Sequence, residues 1–337
     1  MNFLERAWLK QAPWLHALWP LAWIFQVLSR YRQKMQRPAS RPESHTVPVI
    51  VIGNISVGGT GKTPLLMALA NHFLEQGIRP GIISRGYGGS TPDYPLAVTT
   101  ATAVDICGDE ALLMLQRTGC PVVVDPDRES ALRRLLENES VDVILSDDGL
   151  QHYRLHRDIE IAVVDGQRLF DNHLCLPAGP LREPVSRLRS VDYIVVNAEA
   201  NTELAELESA TTMELIPRFL INLGNGEKRP FAGAPFSMGN KIQAVSAIGN
   251  PERFYQLLNT LPYQLEKFSF RDHHLFSESD FEDQGIDMQQ PVVMTEKDAV
   301  KCRQFAKPNF WYLSVDVKLQ QEFLGPLLKQ LGKLRKH

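Results

Sequence analysis

The sequence predicts an α/β fold, in which a parallel sheet with crossover helices is followed by a second, smaller α/β unit. An apolar run at 47–52 leads into a glycine-rich loop and then into an apolar helical pattern, the order of strand, phosphate-binding loop and helix. Apolar runs and helical patterns then alternate to about residue 197, which is typical of a parallel sheet with helices on its faces.

Each predicted element is a short patterned segment bounded by turn residues. We expect further strands within 77–89 and at 121–124, 141–146, 158–165 and 191–197, with helices at 64–76, 109–118 and 128–139. Beyond about 210 the pattern restarts, with strands at 215–222, 241–248, 291–295 and 309–315 and helices at 251–260 and 318–335. We therefore predict one domain over 46–212 and another over 213–337, with the ligand in a cleft between them.

Composition places the chain among ordinary globular proteins. Of its 337 residues 44% are apolar and 22% charged, and the net charge of −3 gives no overall attraction for nucleic acid. We predict no nucleic-acid partner and infer no obligate protein partner. The four cysteines lack C-x-x-C spacing, which argues against a metal cluster or disulfide framework and favours a reducing cytoplasm.

The first 23 residues contain four of the five tryptophans, and a basic run follows them. The tryptophans are Trp8, Trp14, Trp19 and Trp23, and the cations are Arg30, Arg32, Lys34, Arg37 and Arg41. Pro13 and Pro20 interrupt the apolar stretch and no small-residue cleavage site follows it, which disfavours a spanning helix and a signal peptide. We predict that residues 1–35 form a monotopic helix or helical hairpin on an anionic, cytoplasmic membrane face. The alternative is a helix packed on the protein's own core. A polar linker is expected at 36–46.

The loop after the first strand has the residue types that bind a nucleoside triphosphate. Its positions are Ser56, in place of the first glycine of G-x-x-x-x-G-K-[ST], then Val57, Gly58, Gly59, Thr60 and Gly61. The main-chain amides of 56–63 are expected to surround the phosphates, Lys62 to reach the β- and γ-phosphates, and Thr63 to bind Mg²⁺. A plain turn between strand and helix is the alternative, which the register of strand, loop and helix disfavours.

The predicted strand at 141–146 ends in two carboxylates, Asp147 and Asp148. Proteins with this phosphate loop place such an acid beside the first strand to hold Mg²⁺ directly or through water. Asp147 is the first candidate for this metal, while Asp148 shares the ion or orients a neighbouring group. Lys62 and Asp148 are also predicted to act in catalysis.

The nucleotide is predicted to be ATP, because the guanine signature N-K-x-D is missing. The nearest candidate, Thr295-Glu296-Lys297-Asp298, places Lys and Asp side by side. Phosphoryl transfer to an acceptor and energy-coupled hydrolysis remain open, and they include a soluble small-molecule kinase and an ATP-driven switch at a membrane.

Seven segments narrow this choice. They are GNISVGGTGKTP (53–64), SRGYGG (84–89), GDEALL (108–113), SDDGLQH (146–152), PAGPLRE (177–183), DHH (272–274) and TEKDAVK (295–301). In number, order and spacing the chain resembles the tetraacyldisaccharide 4′-kinases, the lipid A 4′-kinases of Gram-negative bacteria. The resemblance implies transfer of the γ-phosphate of MgATP to the 4′-hydroxyl of an acylated glucosamine disaccharide 1-phosphate. It also implies a location on the cytoplasmic face of the inner membrane.

The resemblance further implies that Asp109 is the base for the acceptor hydroxyl and that His273 is its partner. A sugar hydroxyl is a poor nucleophile, so a carboxylate within reach of its proton helps the transfer. From local sequence alone, Asp109 or Glu110 caps the predicted helix equally well. His274 is an alternative to His273.

Other residues of the similar segments are predicted to contact ligands. Arg182 offers a planar cation to the transferring phosphate or to the lipid 1-phosphate, with Glu183 holding it in the substrate site. Arg85 and Tyr87 are expected to contact the lipid headgroup, and Lys297 to approach the nucleotide from the second domain. A surface Arg–Glu pair and an exposed charge run are the alternatives.

Overall fold

The computed structural model describes residues 3–36, 46–198, 207, 209–232, 235–237 and 241–335. The helices are α1 (Phe3–Leu9), α2 (Trp19–Gln36), α3 (Lys62–Glu75), α4 (Val104–Cys107), α5 (Asp109–Thr118), α6 (Arg128–Asn138), α7 (Pro251–Leu258), α8 (Glu278–Asp283), α9 (Glu296–Cys302) and α10 (Gln321–Leu334). The strands are β1 (Val49–Gly53), β2 (Pro80–Ser84), β3 (Leu96–Val98), β4 (Val122–Val124), β5 (Val143–Asp147), β6 (Ile159–Asp165), β7 (Tyr193–Asn197), β8 (Thr211–Asn222), β9 (Lys228–Pro230), β10 (Lys241–Ser246), β11 (Gln264–Ser269), β12 (Val292–Thr295) and β13 (Phe310–Leu319).

One mixed sheet runs through the molecule. Its order is β11-β10-β12-β13-β8-β7-β6-β1-β5-β2-β4-β3, with β9 paired to β8. The pairs β13–β8, β3–β4 and β8–β9 are antiparallel. Strand β1 lies between β5 and β6, with Ile52 opposite Asp147. The glycine-rich loop after β1 and the acid pair at the end of β5 therefore meet at one edge of the sheet.

Helices and loops cover both faces of the first half of the sheet. Val49 and Val51 pack into a core with Leu132 of α6, whereas Ile50 and Ile52 pack on the other face, against α3 and α5. Burial on both faces is the reason why β1 is a continuous apolar run rather than an alternating one.

The two halves of the chain share this sheet. The predicted domain boundary at 212/213 falls within β8, which pairs with β7 on one side and β13 on the other. From the predicted second domain, α10 returns to the first half, where Phe323, Leu327 and Leu331 are buried in the core beside α3. The division into two domains stays a prediction.

Six elements lie outside the predicted set: β3, β9, β11, α4, α8 and α9. Strands β3 and β9 have three residues each, helix α4 has four, and β11 is a polar edge strand whose residues are all exposed or half-buried. Such short or polar segments carry little apolar periodicity. Helix α9 coincides with a charge run, and its signal is a cap: the Thr295 hydroxyl accepts from the Asp298 amide.

The amino-terminal segment has a part packed on the protein and a part exposed on its surface. Trp8 is 4% exposed and donates its indole N–H to the Pro177 carbonyl at 3.1 Å, and Leu15 is buried beside it. Helix α2 instead exposes large apolar side chains: Trp19, Leu21, Trp23, Ile24, Val27, Leu28, Tyr31 and Met35. Among the residues described above, no helix has the length and hydropathy needed to cross a bilayer. Contact with a membrane stays a prediction; Arg37, Arg41 and most of the predicted linker lie outside the described residues.

Candidate active site

Two asparagine side chains, one directly after β1 and one at the end of β7, form hydrogen bonds with the glycine-rich loop. Gly58 and Gly61 have φ of 102° and 99°, a region that glycine adopts without strain. The Asn54 amide donates to the Gly58 carbonyl at 3.4 Å and to the Thr60 hydroxyl at 3.3 Å. The Asn197 amide donates to the Thr60 carbonyl at 3.1 Å. Gly61 directly precedes α3, so the loop ends at a helix N-terminus, where anions are favoured.

The start of the loop differs from the prediction. The Val57 amide donates to the Pro180 carbonyl at 2.9 Å, and Ser56 pairs with Leu181 in an isolated bridge. These two residues therefore tie the loop to the segment at 177–183. The cavity is instead lined by 58–63, which is the part of the predicted phosphate-binding segment that faces it.

The contacts between the glycine-rich loop and the segment 177–183 also place Arg182 beside the loop. Its amide donates to the Ile55 carbonyl at 2.7 Å, and its Nη1 contacts the Asp148 carboxylate at 3.0 Å. Lys62 Nζ lies 3.4 Å from Asp148 Oδ1. Burial disfavours the charged carboxylate, but Lys62 and Arg182 outweigh it and lower the pKa of Asp148 to about 2. Asp148 is thus an anion shared by two cations that phosphate oxygens would also attract.

Asp147 has a different environment. It is 2% exposed, its Oδ2 accepts from the Ser84 hydroxyl at 3.4 Å, and its Oδ1 is buried without a hydrogen-bond partner among the described residues. Burial, with the nearby Glu110 and Asp148 carboxylates, raises the pKa of Asp147 to about 7. A buried carboxylate oxygen without a donor fits a divalent cation, and Thr63 lines the same cavity. The residues present therefore fit Mg²⁺.

A second cluster surrounds Asp109, the first residue of α5. His273 Nδ1 lies 3.1 Å from Asp109 Oδ1, and Lys297 Nζ lies 3.2 Å from His273 Nε2. An ammonium group only donates, so Nε2 accepts and the Nδ1 proton is directed at Asp109. Lys297 also contacts Glu110 at 2.9 Å, and Lys301 Nζ lies 3.6 Å from Asp109 Oδ2.

The charge of Asp109 follows from these contacts. Burial opposes ionisation, but the hydrogen bond from His273 and the two lysines outweigh it and lower the pKa of Asp109. Asp109 is 3% exposed, while His273, Lys297 and Glu110 line the cavity in front of it. The structure thus brings together the predicted pair, and His273 rather than His274 is the histidine at Asp109.

The prediction for Glu183 needs correction. Its buried carboxylate accepts from Gln151 Nε2 at 2.6 Å, from the Tyr153 hydroxyl at 2.6 Å and from Arg187 Nε at 3.2 Å. Gln151 in turn accepts from Arg182 at 3.4 Å. Glu183 therefore supports Arg182 through Gln151, and this supporting role replaces direct contact with substrate, because its oxygens are already occupied.

Arg85 and Tyr87 lie where the sequence predicts, on the loop after β2. Both are exposed and line the cavity, and the Tyr87 ring contacts His273 edge-to-face with centroids 4.5 Å apart. The cavity has a volume of about 1060 Å³ and extends from the phosphate loop to Phe25 and Leu28 of α2.

Sequence reasoning missed Asn54, Asn197 and Lys301. Asn54 follows β1 and Asn197 ends β7, so polar residues at the ends of buried strands were the available signal. Lys301 lies four residues after Lys297, which places both on one face of a helix. That signal depended on α9, which the sequence did not predict.

Comparison with known proteins agrees with this geometry. A family model described as tetraacyldisaccharide-1-P 4′-kinase matches residues 14–332. The chain belongs to the tetraacyldisaccharide 4′-kinase family. The tetraacyldisaccharide 4′-kinase of Pseudomonas fluorescens (strain SBW25) is 44% identical over 332 residues, 98% of this chain and 96% of the relative. That of Legionella pneumophila (strain Lens) is 41% identical over 322 residues, 95% of each chain.

A solved member of the tetraacyldisaccharide 4′-kinase family shares the fold. The crystal structure of LpxK from Aquifex aeolicus in complex with ATP superimposes with a TM-score of 0.73 and 28% identity, covering 95% of this chain and 99% of that chain. The family, the α/β fold class and the ATP-dependent kinase activity that the sequence predicts are thus confirmed.

Proposed function

We propose that the chain transfers the γ-phosphate of MgATP to the 4′-hydroxyl of tetraacyldisaccharide 1-phosphate at the cytoplasmic face of the inner membrane. One observation carries this proposal: the phosphate loop, the acid pair and two partners of Asp109, His273 and Lys297, all line a single cavity. Donor and acceptor can therefore meet there without a carrier. Family membership favours this activity over the ATPase switch and the soluble small-molecule kinase.

The nucleotide would lie along 58–63, with Lys62 and Arg182 turning from Asp148 toward its phosphates. Thr63 and Asp147 would hold Mg²⁺, with Asp148 adjoining them. Mg²⁺ would offset the negative charge that the phosphate oxygens carry during transfer. Catalysis then rests mainly on positioning and charge neutralisation.

Asp109 would accept the proton of the 4′-hydroxyl. Lys297 covers Asp109, because its Nζ lies 4.0 Å from Asp109 Oδ1 and also contacts His273 and Glu110. Lys297 would leave this cluster for the phosphates when ATP binds, which uncovers the carboxylate. His273 keeps Asp109 oriented through its Nδ1 proton.

The far end of the cavity suits a lipid. Phe25 and Leu28 of α2 line it, and the outer surface of α2 is apolar. Arg30, Arg32 and Lys34 are exposed near the end of this helix, where they would attract anionic headgroups. The acyl chains would thus remain near the bilayer while the sugar enters the cavity.

The test is a product assay with radiolabelled ATP, Mg²⁺ and tetraacyldisaccharide 1-phosphate in detergent, run with the wild-type chain and with Asp109→Asn. We expect a 4′-phosphorylated product, and a kcat for Asp109→Asn that is lower by about 100-fold or more, because the base is lost. The Kd for ATP should change by less than about 3-fold, since Asp109 does not line the phosphate loop. No product from the wild type would overturn the activity. Full activity of Asp109→Asn would overturn only the role of Asp109.

A further inference from the structure

Lys301 is a buried lysine behind Asp109. Its side chain is 1% exposed, and its Nζ lies 3.6 Å from Asp109 Oδ2 and 2.7 Å from Asp298 Oδ1. Removing an ammonium group from water is costly unless anions compensate for the lost hydration. Lys301 therefore lies between two carboxylates, one from each half of the chain.

Asp298 fixes the position of this ammonium group. It is fully buried, and its Oδ2 accepts from the Thr295 hydroxyl at 2.6 Å and from the Ala247 amide at 3.0 Å. Thr295 caps α9, and Asp298 and Lys301 lie one turn apart on that helix. Ala247 precedes the cavity-lining residues Ile248 and Gly249. These contacts hold the ammonium group of Lys301 in a fixed position relative to the second half of the chain.

Lys297 cannot serve the same purpose. Its side chain is 17% exposed and lines the cavity, so incoming phosphates compete for it. Lys301 is shielded from the cavity and stays with Asp109 when Lys297 leaves. It is then the remaining lysine at Asp109 among the described residues.

We infer that Lys301 is a positioning residue that keeps the Asp109 carboxylate ionised and oriented while Lys297 serves the nucleotide. This inference rests on the proposed role of Asp109. The titratable or charged groups around Asp109 are Cys107 of α4, Glu110 of α5, His273 of the loop after β11, and Lys297 and Lys301 of α9. Of these groups Lys301 alone combines a positive charge with complete burial.

The test compares Lys301→Met with the double variant Asp298→Asn/Lys301→Gln. Lys301→Met leaves the buried Asp298 without the cation that pairs with it and can weaken folding, whereas the double variant removes both buried charges together. Lys307→Met is the matched control, because Lys307 is an exposed lysine that pairs with Glu278 at the surface. For each chain, kcat, the KM for ATP and the pH profile of kcat/KM are measured in the product assay, beside Asp109→Asn.

We expect both Lys301 variants to lower kcat by about 10-fold, with the KM for ATP changed by less than about 3-fold. Loss of the cation favours neutral Asp109, so the acidic limb of kcat/KM should move to higher pH by about one unit. Lys307→Met should match the wild type.

A folded double variant with the wild-type kcat and acidic limb would overturn the inference. So would a fall in ATP affinity that accounts for the whole loss of activity, because Lys301 would then only support the nucleotide loop. If Lys301→Met does not fold, the double variant decides. If Asp109→Asn is itself fully active, the proposed role of Asp109 has failed and the inference fails with it.

Discussion

At the scale of single residues, the pKa values of two neighbouring carboxylates shift in opposite directions: that of Asp147 is raised and that of Asp148 is lowered. Asp148 has φ of 45°, which directs it to Lys62 and Arg182, whereas Asp147 stays in β5 with one oxygen unpaired. The sequence predicts the acid pair and its edge of the sheet. It does not distinguish the two roles, because the sharp turn and the distant Arg182 are not visible in local sequence. Local sequence likewise does not reveal the role of Glu183, which pairs with Arg187 four residues further on and, through Gln151, supports Arg182.

A pH-dependent prediction concerns Glu296 at the start of α9, whose Oε1 lies 3.5 Å from Arg117 Nε. Burial outweighs Arg117 and, with Asp316, raises the pKa of Glu296 from 4.5 to about 7. The folded state therefore binds more protons than the unfolded state between these values, so this residue lowers stability as pH rises through that window. Glu296→Gln cannot ionise and should raise the free energy of unfolding at pH 8 by about 2 kcal/mol.

The gain should largely disappear near pH 4.5, where Glu296 is protonated in the folded state. Urea unfolding of both chains at the two pH values measures it. Equal destabilisation by Glu296→Gln at both values would show that the ion pair with Arg117 dominates instead.

At the scale of elements, the spacing of apolar residues predicts which side chains of a helix or strand form an apolar face. It does not predict which other residues that face contacts. Trp8 and Trp23 belong to the same aromatic segment, yet Trp8 is 4% exposed and Trp23 is 66% exposed. The difference arises from Pro177 and Leu176, which are distant in sequence and form the surface that receives Trp8. Helix α9 is the opposite case. Its sequence is a run of charged residues, which suggests an exposed segment, yet Lys301 within it is buried.

Exposure of α2 leads to a membrane-binding prediction. The triple variant Trp19→Gln/Trp23→Gln/Val27→Gln should lower the affinity for phosphatidylglycerol vesicles, measured by co-sedimentation, by about 100-fold. The reason is that polar side chains replace three apolar ones that would enter the bilayer interface. The melting temperature should barely change, because all three are exposed in the folded chain. Leu74→Gln/Phe219→Gln is the control, with exposed apolar residues on other elements. Vesicle binding that survives the α2 changes would place the membrane contact elsewhere.

At the scale of the whole molecule, the site depends on the shared sheet. Asp109 and Glu110 come from the first half, while His273, Lys297 and Lys301 come from the second. Local patterns predict two α/β units and a cleft at their strand ends. The local patterns do not predict that one sheet runs through both halves. The β8–β13 pairing that joins the halves links segments that are far apart in sequence, such as Asn222 and Trp311.

Because both halves of the chain line one cavity, we propose that the phosphoryl group passes directly from ATP to the lipid. An in-line displacement inverts the configuration at phosphorus once. The decisive measurement is therefore the stereochemical course of the reaction with ATP that carries a chiral, isotopically labelled γ-phosphate. We predict inversion in the 4′-phosphorylated product. Retention would require two displacements through a phosphorylated enzyme and would contradict direct transfer.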